Sequence, residues 1–165
     1  MRIEIEKQES DFIREVIVKY RGPKRRSPSF RDSEAVTSFL RRLLVDNSRE
    51  HFIVLFLDVT NRIASYSIIA IGGKQSCPVD VTGIFQRALI VGASSIIVSH
   101  NHPSGDAKPS EEDQRITKVL CEIGKTLRIN VLDHIIISDD EHFSFSDSEM
   151  IARNTFFDRN SDEVR

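Results

Sequence analysis

The chain has 165 residues, of which 39% are hydrophobic and 29% are charged, and its formal net charge is −2 at pH 7. This length is enough for one domain with its own hydrophobic core, and the composition excludes a chain that is disordered throughout. The near-neutral charge argues against a protein that binds nucleic acid by overall electrostatic attraction.

The sequence has no feature that is typical of a secreted or membrane-embedded protein. No apolar run approaches the roughly 20 residues that a membrane-spanning helix needs. The first residues, MRIEIEKQESDF, contain no apolar signal-peptide core. The two cysteines, Cys77 and Cys121, are far apart and form no Cys-x-x-Cys pair. We therefore expect a soluble protein in the reducing environment of the cytoplasm.

Residues 1–31 are predicted to form an N-terminal arm and a basic linker. Residues 3–6 and 12–20 have the β-branched composition of strands. The segment that follows is rich in Pro, Ser and Arg, as flexible linkers are. Its basic residues are Arg21, Lys24, Arg25, Arg26 and Arg31. Such a run is most simply a solvated linker, and the alternative is a sequence-independent contact with nucleic acid phosphates.

Residues 32–147 are predicted to form the compact domain. Apolar residues at helical spacing indicate a first helix that is capped by Asp32 or Ser33 and ends near Asp46. The continuous apolar run at 52–57 predicts a strand that is buried on both faces. The remaining elements are predicted to be a strand over 62–71, a helix over 81–91 between Asp80 and Gly92, a strand over 95–99, a helix after Ser110, and strands over 130–138 and 143–145.

This element order, α-β-β-α-β-α-β-β, predicts an α/β fold in which helices flank a mixed sheet. Residues 148–165 are polar and mixed in charge, and we expect them to form a C-terminal tail.

A group of candidate metal ligands follows the strand at 95–99. His100 and His102 are two residues apart at its carboxyl end, so strand alternation places both imidazoles on one face. Asp113 is in the first turn of the next helix, from which its carboxylate can point back toward the strand. Two imidazoles and one carboxylate suit Zn²⁺ and leave the fourth tetrahedral position for water, as in catalytic zinc sites.

Hydrolysis at such a site also requires a group that transfers protons and a hydrogen-bond donor for the oxyanion. We assign proton transfer to Glu50, which comes just before the buried strand at 52–57, and the oxyanion hydrogen bond to Ser110. Glu111 and Glu112 are nearer to the ligands in sequence, but at the start of a helix we expect them to point into solvent.

Each of these features has a simpler explanation when it is taken alone. Ser110 and Asp113 have the spacing of a helix capping box, and paired histidines on a strand often bind nothing. The combination favours the metal site, because one short stretch contains a strand, His-x-His-Pro, a tight loop and Ser-x-x-Asp at a helix start.

The stretch from His100 to Asp113 resembles the JAMM (MPN-plus) metalloprotease motif, His-x-His-Pro-x(6)-Ser-x-x-Asp, at every motif position. The wider stretch from about residue 33 to 147, which includes HFIVLFLDVTNRI and VLDHIII, resembles the bacterial RadC family. This resemblance implies a cytidine-deaminase-like, three-layer α-β-α fold with a mixed sheet (a JAB/MPN domain). It also implies a single zinc and isopeptidase-type chemistry, with Glu50 matching the upstream glutamate and Ser110 the oxyanion-donor serine.

The chain departs from the RadC pattern at its N-terminus. RadC proteins usually carry a helix-hairpin-helix region before this domain, and residues 1–31 are too short and too strand-like to supply one. The DNA-repair role associated with the family therefore has little support in this chain.

Several other residues near the motif have simpler roles. His134 precedes an apolar run and is expected in the core or at its rim, with a contact that holds a zinc ligand as the alternative. His51 is expected on the opposite strand face from Glu50, and His142 in a solvated turn. Asp106 is in the metal loop, but Asp113 has the better helix-start geometry.

Two functions from different classes fit these observations. The first is a zinc-dependent hydrolase that cleaves a peptide or isopeptide bond in a peptide or protein substrate. The second is a DNA-associated accessory protein in repair or mobile-element biology, which fluorescence anisotropy with DNA at low salt would separate from the first. A nucleobase deaminase is disfavoured because those enzymes use cysteine zinc ligands in a Pro-Cys-x-x-Cys element, which this chain lacks.

Overall fold

A computed structural model describes residues 2–7, 14–19, 30, 32–44, 47–72 and 79–151 of the chain. The basic residues of the predicted linker, Cys77 and residues 152–165 of the predicted tail lie outside these ranges.

Ten helices and strands are assigned within this part of the chain. In order, they are β1 (Arg2–Lys7), β2 (Arg14–Lys19), α1 (Ser33–Leu43), β3 (His51–Leu57), β4 (Ile63–Ile71), α2 (Val81–Val91), β5 (Ser95–Asn101), α3 (Glu111–Leu127), β6 (Asn130–Ile137) and β7 (His142–Ser144). Strands β1 and β2 pair antiparallel in a two-stranded sheet of their own. From α1 to β7 the order matches the predicted α-β-β-α-β-α-β-β.

The other five strands form one mixed sheet in the order β4-β3-β5-β6-β7. Strand β3 is antiparallel to both β4 and β5, whereas β5 and β6 are parallel and are joined through α3. Apolar residues of α1 pack on one face of this sheet, and those of α2 and α3 pack on the other. The predicted three-layer α-β-α architecture is confirmed.

The central strands are covered on both faces, which explains their continuous apolar sequences. All seven residues of β5 are buried, and β3 is buried from Phe52 to Leu57. The buried layer also reaches beyond the strands, because Ile151 is 5% exposed and belongs to the core on the α2 and α3 side.

Several predicted boundaries were wrong by one to three residues. Helix α1 ends at Leu43 rather than near Asp46, because Leu44 leaves the helical conformation and packs against the core on the α1 side. Strand β5 continues through Asn101 because its last residues still pair with β6. Strand β7 begins one residue early, at His142, because His142 pairs with Ile137.

None of the helices within the described ranges is long and apolar enough to cross a bilayer.

A buried carboxylate connects β6 to β7 and to the turn that follows. Asp133 is fully buried, and its Oδ2 accepts the Ser144 hydroxyl at 2.7 Å. Its Oδ1 accepts the N–H groups of His134 at 2.7 Å and Ser146 at 3.0 Å. Burial raises the pKa of Asp133 to about 6, and these three hydrogen bonds only partly oppose that rise.

This shift predicts a pH dependence of stability. In the unfolded chain Asp133 ionises near pH 4, so between about pH 4 and pH 6 only the folded state keeps the proton, and folded stability falls as pH rises. Relative to Asp133→Asn, the wild-type free energy of unfolding should fall by about 2–3 kcal/mol between pH 4 and pH 7. Urea unfolding of both proteins with a chelator present measures this difference, and a pH-independent difference would contradict it.

Candidate metal centre

The candidate metal centre lies at the carboxyl end of β5. His100 is inside the strand and only 1% exposed, and His102 follows one residue after the strand ends. The His102 N–H donates to the Ile137 carbonyl at 2.8 Å, and the Gly105 N–H donates to the His102 carbonyl at 3.1 Å. Gly105 has φ +86°, which glycine adopts readily, and this turn directs the chain toward α3.

One atom of each predicted ligand faces a common point. Nε2 of His100 is 2.9 Å from Nε2 of His102 and 3.1 Å from Oδ1 of Asp113, and Nε2 of His102 is 3.6 Å from Oδ2 of Asp113. In a tetrahedral site with zinc–nitrogen bonds of 2.0–2.1 Å, ligand atoms are about 3.3 Å apart. The three side chains thus place two imidazole nitrogens and a carboxylate close enough together to hold a metal ion.

The start of α3 orients the Asp113 carboxylate. Ser110 is the N-cap, and its Oγ accepts the Asp113 N–H at 3.1 Å, while Oδ2 of Asp113 accepts the Ser110 N–H at 2.8 Å. The capping box is therefore present, and it uses Oδ2 while Oδ1 faces His100. The capping-box and metal-ligand explanations of this spacing are compatible, because Oδ1 takes no part in the capping box and faces His100, while the capping oxygen Oδ2 lies 3.6 Å from Nε2 of His102.

The electrostatics of the site keep Asp113 ionised. Burial raises the pKa of the Asp113 carboxyl, but hydrogen bonds with His100, His102 and Ser110 and the charge of His100 outweigh burial and hold this pKa well below its usual range. The hydrogen bond with Asp113 raises the pKa of His102, against the opposing effect of burial. A permanently charged carboxylate beside two imidazoles is a suitable environment for a cation.

Each histidine of the site makes a second contact through its Nδ1. Nδ1 of His102 donates to the Asp106 carbonyl at 2.7 Å, which leaves Nε2 of the neutral ring without hydrogen. Nδ1 of His100 lies 2.9 Å from Nε2 of His134. Phe52 stacks against His100 with ring centroids 5.9 Å apart, so the deeper histidine is fixed by packing as well as by hydrogen bonding.

His134 is completely buried behind His100. Its Nδ1 is 2.6 Å from Oγ1 of Thr117, and Phe145 stacks on its ring with centroids 4.8 Å apart. Burial lowers the pKa of His134 well below its ordinary value, with a smaller contribution from the charge of His100, so the ring is neutral. His134 is therefore buried in the core, as expected, and it also makes the contact with a candidate ligand that was the alternative.

Glu50 comes directly before β3 at the same end of the sheet. Its carbonyl accepts the Gly72 N–H at 2.7 Å, which extends the pairing of β3 with β4. Its negative charge contributes to the raised pKa of His102. The structure thus brings Glu50 within electrostatic range of His102, whereas the ligand cluster itself consists of His100, His102 and Asp113.

The side chain of Asn101 holds the segment that carries Glu50. Its Oδ1 accepts the His51 N–H at 2.8 Å, and its Nδ2 donates to the Arg49 carbonyl at 2.9 Å. Asn101 is 2% exposed, and the two residues that it binds are the neighbours of Glu50. The residue between the two motif histidines therefore connects the ligand strand to the backbone on both sides of Glu50.

Replacing Asn101 with alanine should destabilise the protein, because the half-buried His51 N–H would lose its partner and the Arg49 carbonyl would keep only its contact with Nδ1 of His51. We expect a loss of about 1–3 kcal/mol in the free energy of unfolding, typical of unsatisfied polar groups. Urea unfolding measures it, with Asn47→Ala as the control, since Asn47 makes an exposed side-chain hydrogen bond to Asp139. Equal effects of the two substitutions would contradict this role.

The other residues considered from the sequence are accounted for differently. His51 contacts the Arg49 carbonyl through Nδ1 at 2.9 Å, and Oδ1 of Asp106 accepts the Lys108 N–H at 2.8 Å.

The prediction that His142 lies in a solvated turn was wrong. His142 is half-buried in β7 with Nδ1 3.5 Å from Glu34, because pairing of β7 with β6 brings it against the start of α1.

Two residues that contact the site were not identified from the sequence. Thr117 is four residues after Asp113, and this spacing on one helix face was a usable signal. Asn101 had no such signal, because its partners are about 50 residues earlier in the chain.

A family model described as RadC-like JAB domain matches residues 30–150 of this chain. UPF0758 proteins of Chlorobaculum parvum and Methanosarcina mazei are 39% and 38% identical, over 72% and 78% of this chain and 54% and 55% of their own lengths. One from Caldanaerobacter subterraneus subsp. tengcongensis is 46% identical over 61% of this chain and 43% of its own length.

This chain spans about half the length of these relatives. The match of the family model covers most of the chain and includes every element from α1 to β7. Together with the fold and the ligand cluster, this match leads to one conclusion: the chain belongs to the RadC-like JAB domain family.

Proposed function

We propose that this protein is a zinc-dependent hydrolase that cleaves a peptide or isopeptide bond in a peptide or protein substrate. The observation that carries the proposal is the convergence of His100, His102 and Asp113, whose ligand atoms lie within 4.8 Å of one another. Two neutral nitrogen donors and one anionic oxygen donor form the usual protein ligand set of a catalytic zinc site. We propose that these three residues hold the ion.

When bound there, zinc supplies Lewis-acid activation of a water molecule and of the carbonyl under attack. Glu50 would accept a proton from the attacking water as the water oxygen bonds to the carbonyl carbon. It then donates the proton to the amine as the carbon–nitrogen bond breaks. Its position at the start of β3, where Asn101 binds the backbone of both neighbouring residues, supports this role.

Ser110 is proposed to stabilise the oxyanion of the tetrahedral intermediate. In the structure its hydroxyl donates to Oδ2 of Asp113 at 2.6 Å. That oxygen also accepts the Ser110 N–H, so it keeps a partner when the hydroxyl hydrogen rotates about the Cβ–Oγ bond toward the substrate. The capping contact survives this rotation, because Oγ of Ser110 remains the acceptor of the Asp113 N–H.

Metal analysis and hydrolysis assays on the purified protein test the proposal. We expect about one zinc per chain, and cleavage in a pool of random peptides and lysine-linked isopeptides that stops with a chelator and returns when zinc is added. Protein that binds zinc but cleaves neither class of amide would rule out the proposed reaction. Protein without zinc binding would rule out the proposed site.

A further inference from the structure

A buried chain of hydrogen bonds connects one candidate ligand to the backbone of another. It runs from Nδ1 of His100 to Nε2 of His134 at 2.9 Å, and from Nδ1 of His134 to Oγ1 of Thr117 at 2.6 Å. It continues from Oγ1 of Thr117 to the backbone carbonyl of Asp113 at 2.5 Å. His100, His134 and Thr117 are 1%, 0% and 4% exposed, so water does not compete for these contacts.

The Asp113 carbonyl, at the end of this series of hydrogen bonds, fixes the donor and acceptor of each bond. A carbonyl oxygen only accepts, so the single hydroxyl hydrogen of Thr117 points to Asp113, and Oγ1 must accept from Nδ1–H of His134. A neutral imidazole has one N–H, so Nε2 of His134 accepts from Nδ1–H of His100. In the neutral ring of His100, Nε2 then carries no hydrogen, and this atom faces His102 and Asp113.

We propose that His134 and Thr117 are positioning residues that fix His100 in the tautomer able to bind a metal. The reverse tautomer would place an N–H of His100 between the three ligand atoms, where it would exclude a cation. The inference deepens the proposed function and rests on its metal site. It adds two residues, outside the recognised motif, that determine whether that site can form.

The same series of hydrogen bonds connects the strands and the helix that carry the candidate ligands. His100 is on β5, His134 is on the parallel neighbour β6, and Thr117 is on α3, one turn after Asp113. Because the chain ends on the carbonyl of Asp113, it joins two ligands through buried hydrogen bonds. Partners of this kind orient ligating histidines, and their loss costs about 10–100-fold in metal affinity.

The wild-type protein tests the tautomer directly. Long-range ¹H–¹⁵N NMR of metal-free protein labelled at histidine nitrogens reports which ring nitrogen carries hydrogen. We expect hydrogen on Nδ1 of both His100 and His134. Hydrogen on Nε2 and none on Nδ1 of His100 in the wild type would overturn the proposal, whatever the protein hydrolyses.

Substitutions in α3 test the effect on the metal. Thr117→Val keeps the side-chain shape but removes the acceptor of His134. Thr117→Ser keeps the hydroxyl that accepts from His134. The matched control is Thr126→Val, because the Thr126 hydroxyl donates to the Glu122 carbonyl in the same helix but contacts no histidine in the described structure. We expect Thr117→Val to weaken zinc binding by about 10–100-fold in chelator competition and to lose the Nδ1–H signal of His134. The other two variants should bind zinc as the wild type does.

Wild-type affinity and unchanged histidine tautomers in Thr117→Val would overturn the inference. The NMR result on the wild type remains decisive if Thr117→Val fails to fold. Failure of the inference is distinguishable from failure of the proposed function. If all three variants bind zinc equally well, the inference fails but the proposed metal site stands. If the wild type binds no zinc, the proposed metal site fails even when the histidine tautomers are as expected.

Discussion

Zinc binding is expected to be lost when His102 is replaced by alanine. Nε2 of His102 is one of only three ligand atoms in the described cluster, and it is 2.9 Å from Nε2 of His100. Since losing a partner of a ligand already costs about 10–100-fold in affinity, losing the ligand itself should cost more than about 100-fold. Metal analysis should fall from about one equivalent of zinc to a small fraction.

Thermal unfolding gives an independent measurement of the same effect. Zinc at about 1,000 times its dissociation constant stabilises the folded state by about 4 kcal/mol, which corresponds to roughly 8–16 °C in Tm for a chain of this size. We expect this shift in the wild type and none in His102→Ala.

The matched control for this substitution is His142→Ala, because His142 is a half-buried histidine on β7 that contacts the start of α1 and not the ligand cluster. It should keep both its zinc and the Tm shift. Less than about half an equivalent of zinc in the wild type, unchanged in His102→Ala, would count against the metal site.

Turnover, by contrast, is expected to be lost without loss of zinc when Glu50 is replaced by glutamine. Glu50 is not one of the clustered ligands, yet its charge reaches His102. Glutamine keeps the size of the side chain but cannot carry a proton between water and the leaving amine. General acid–base catalysis contributes about 100- to 10,000-fold, so we expect kcat to fall by that factor, or about 3–5 kcal/mol in the barrier.

Glu111→Gln and Glu112→Gln are the controls for Glu50. Both residues are exposed in the first turn of α3, and Glu112 forms an ion pair with Arg115. Their activities should stay within about twofold of the wild type. Full activity in Glu50→Gln, or a large loss in either control, would assign the proton transfer to another residue.

Local sequence was sufficient for most of the fold. Apolar periodicity and capping residues predicted the three helices of the described ranges, and Asp32, Asp80 and Ser110 each accept a hydrogen bond as N-caps. Continuous apolar runs predicted the buried strands, because β3 and β5 have helices on both faces. Boundaries were less predictable, since the end of α1 and the length of β5 depend on packing and strand pairing with distant segments.

The candidate ligands were predictable for the same local reason. His100, His102 and Asp113 lie within 14 consecutive residues, so strand alternation and a helix start are enough to bring them together. The position of Glu50 depends on the tertiary structure, because antiparallel pairing of β3 with β5 brings residue 50 to the end of the sheet where the histidines lie.

By itself, the sequence determined the ligand triad and the order of elements around it, because strand alternation, helix capping and apolar periodicity act between near neighbours in the chain. Only the tertiary structure decided how those ligands are supported. His134 reaches His100 because β5 and β6 are parallel neighbours, Thr117 reaches His134 because α3 packs on that face of the sheet, and Asn101 reaches both neighbours of Glu50 across the β3–β5 pair. Hydrogen bonds between segments that are distant in sequence leave no spacing pattern, so the candidate ligands could be predicted from the sequence and their supporting contacts could not.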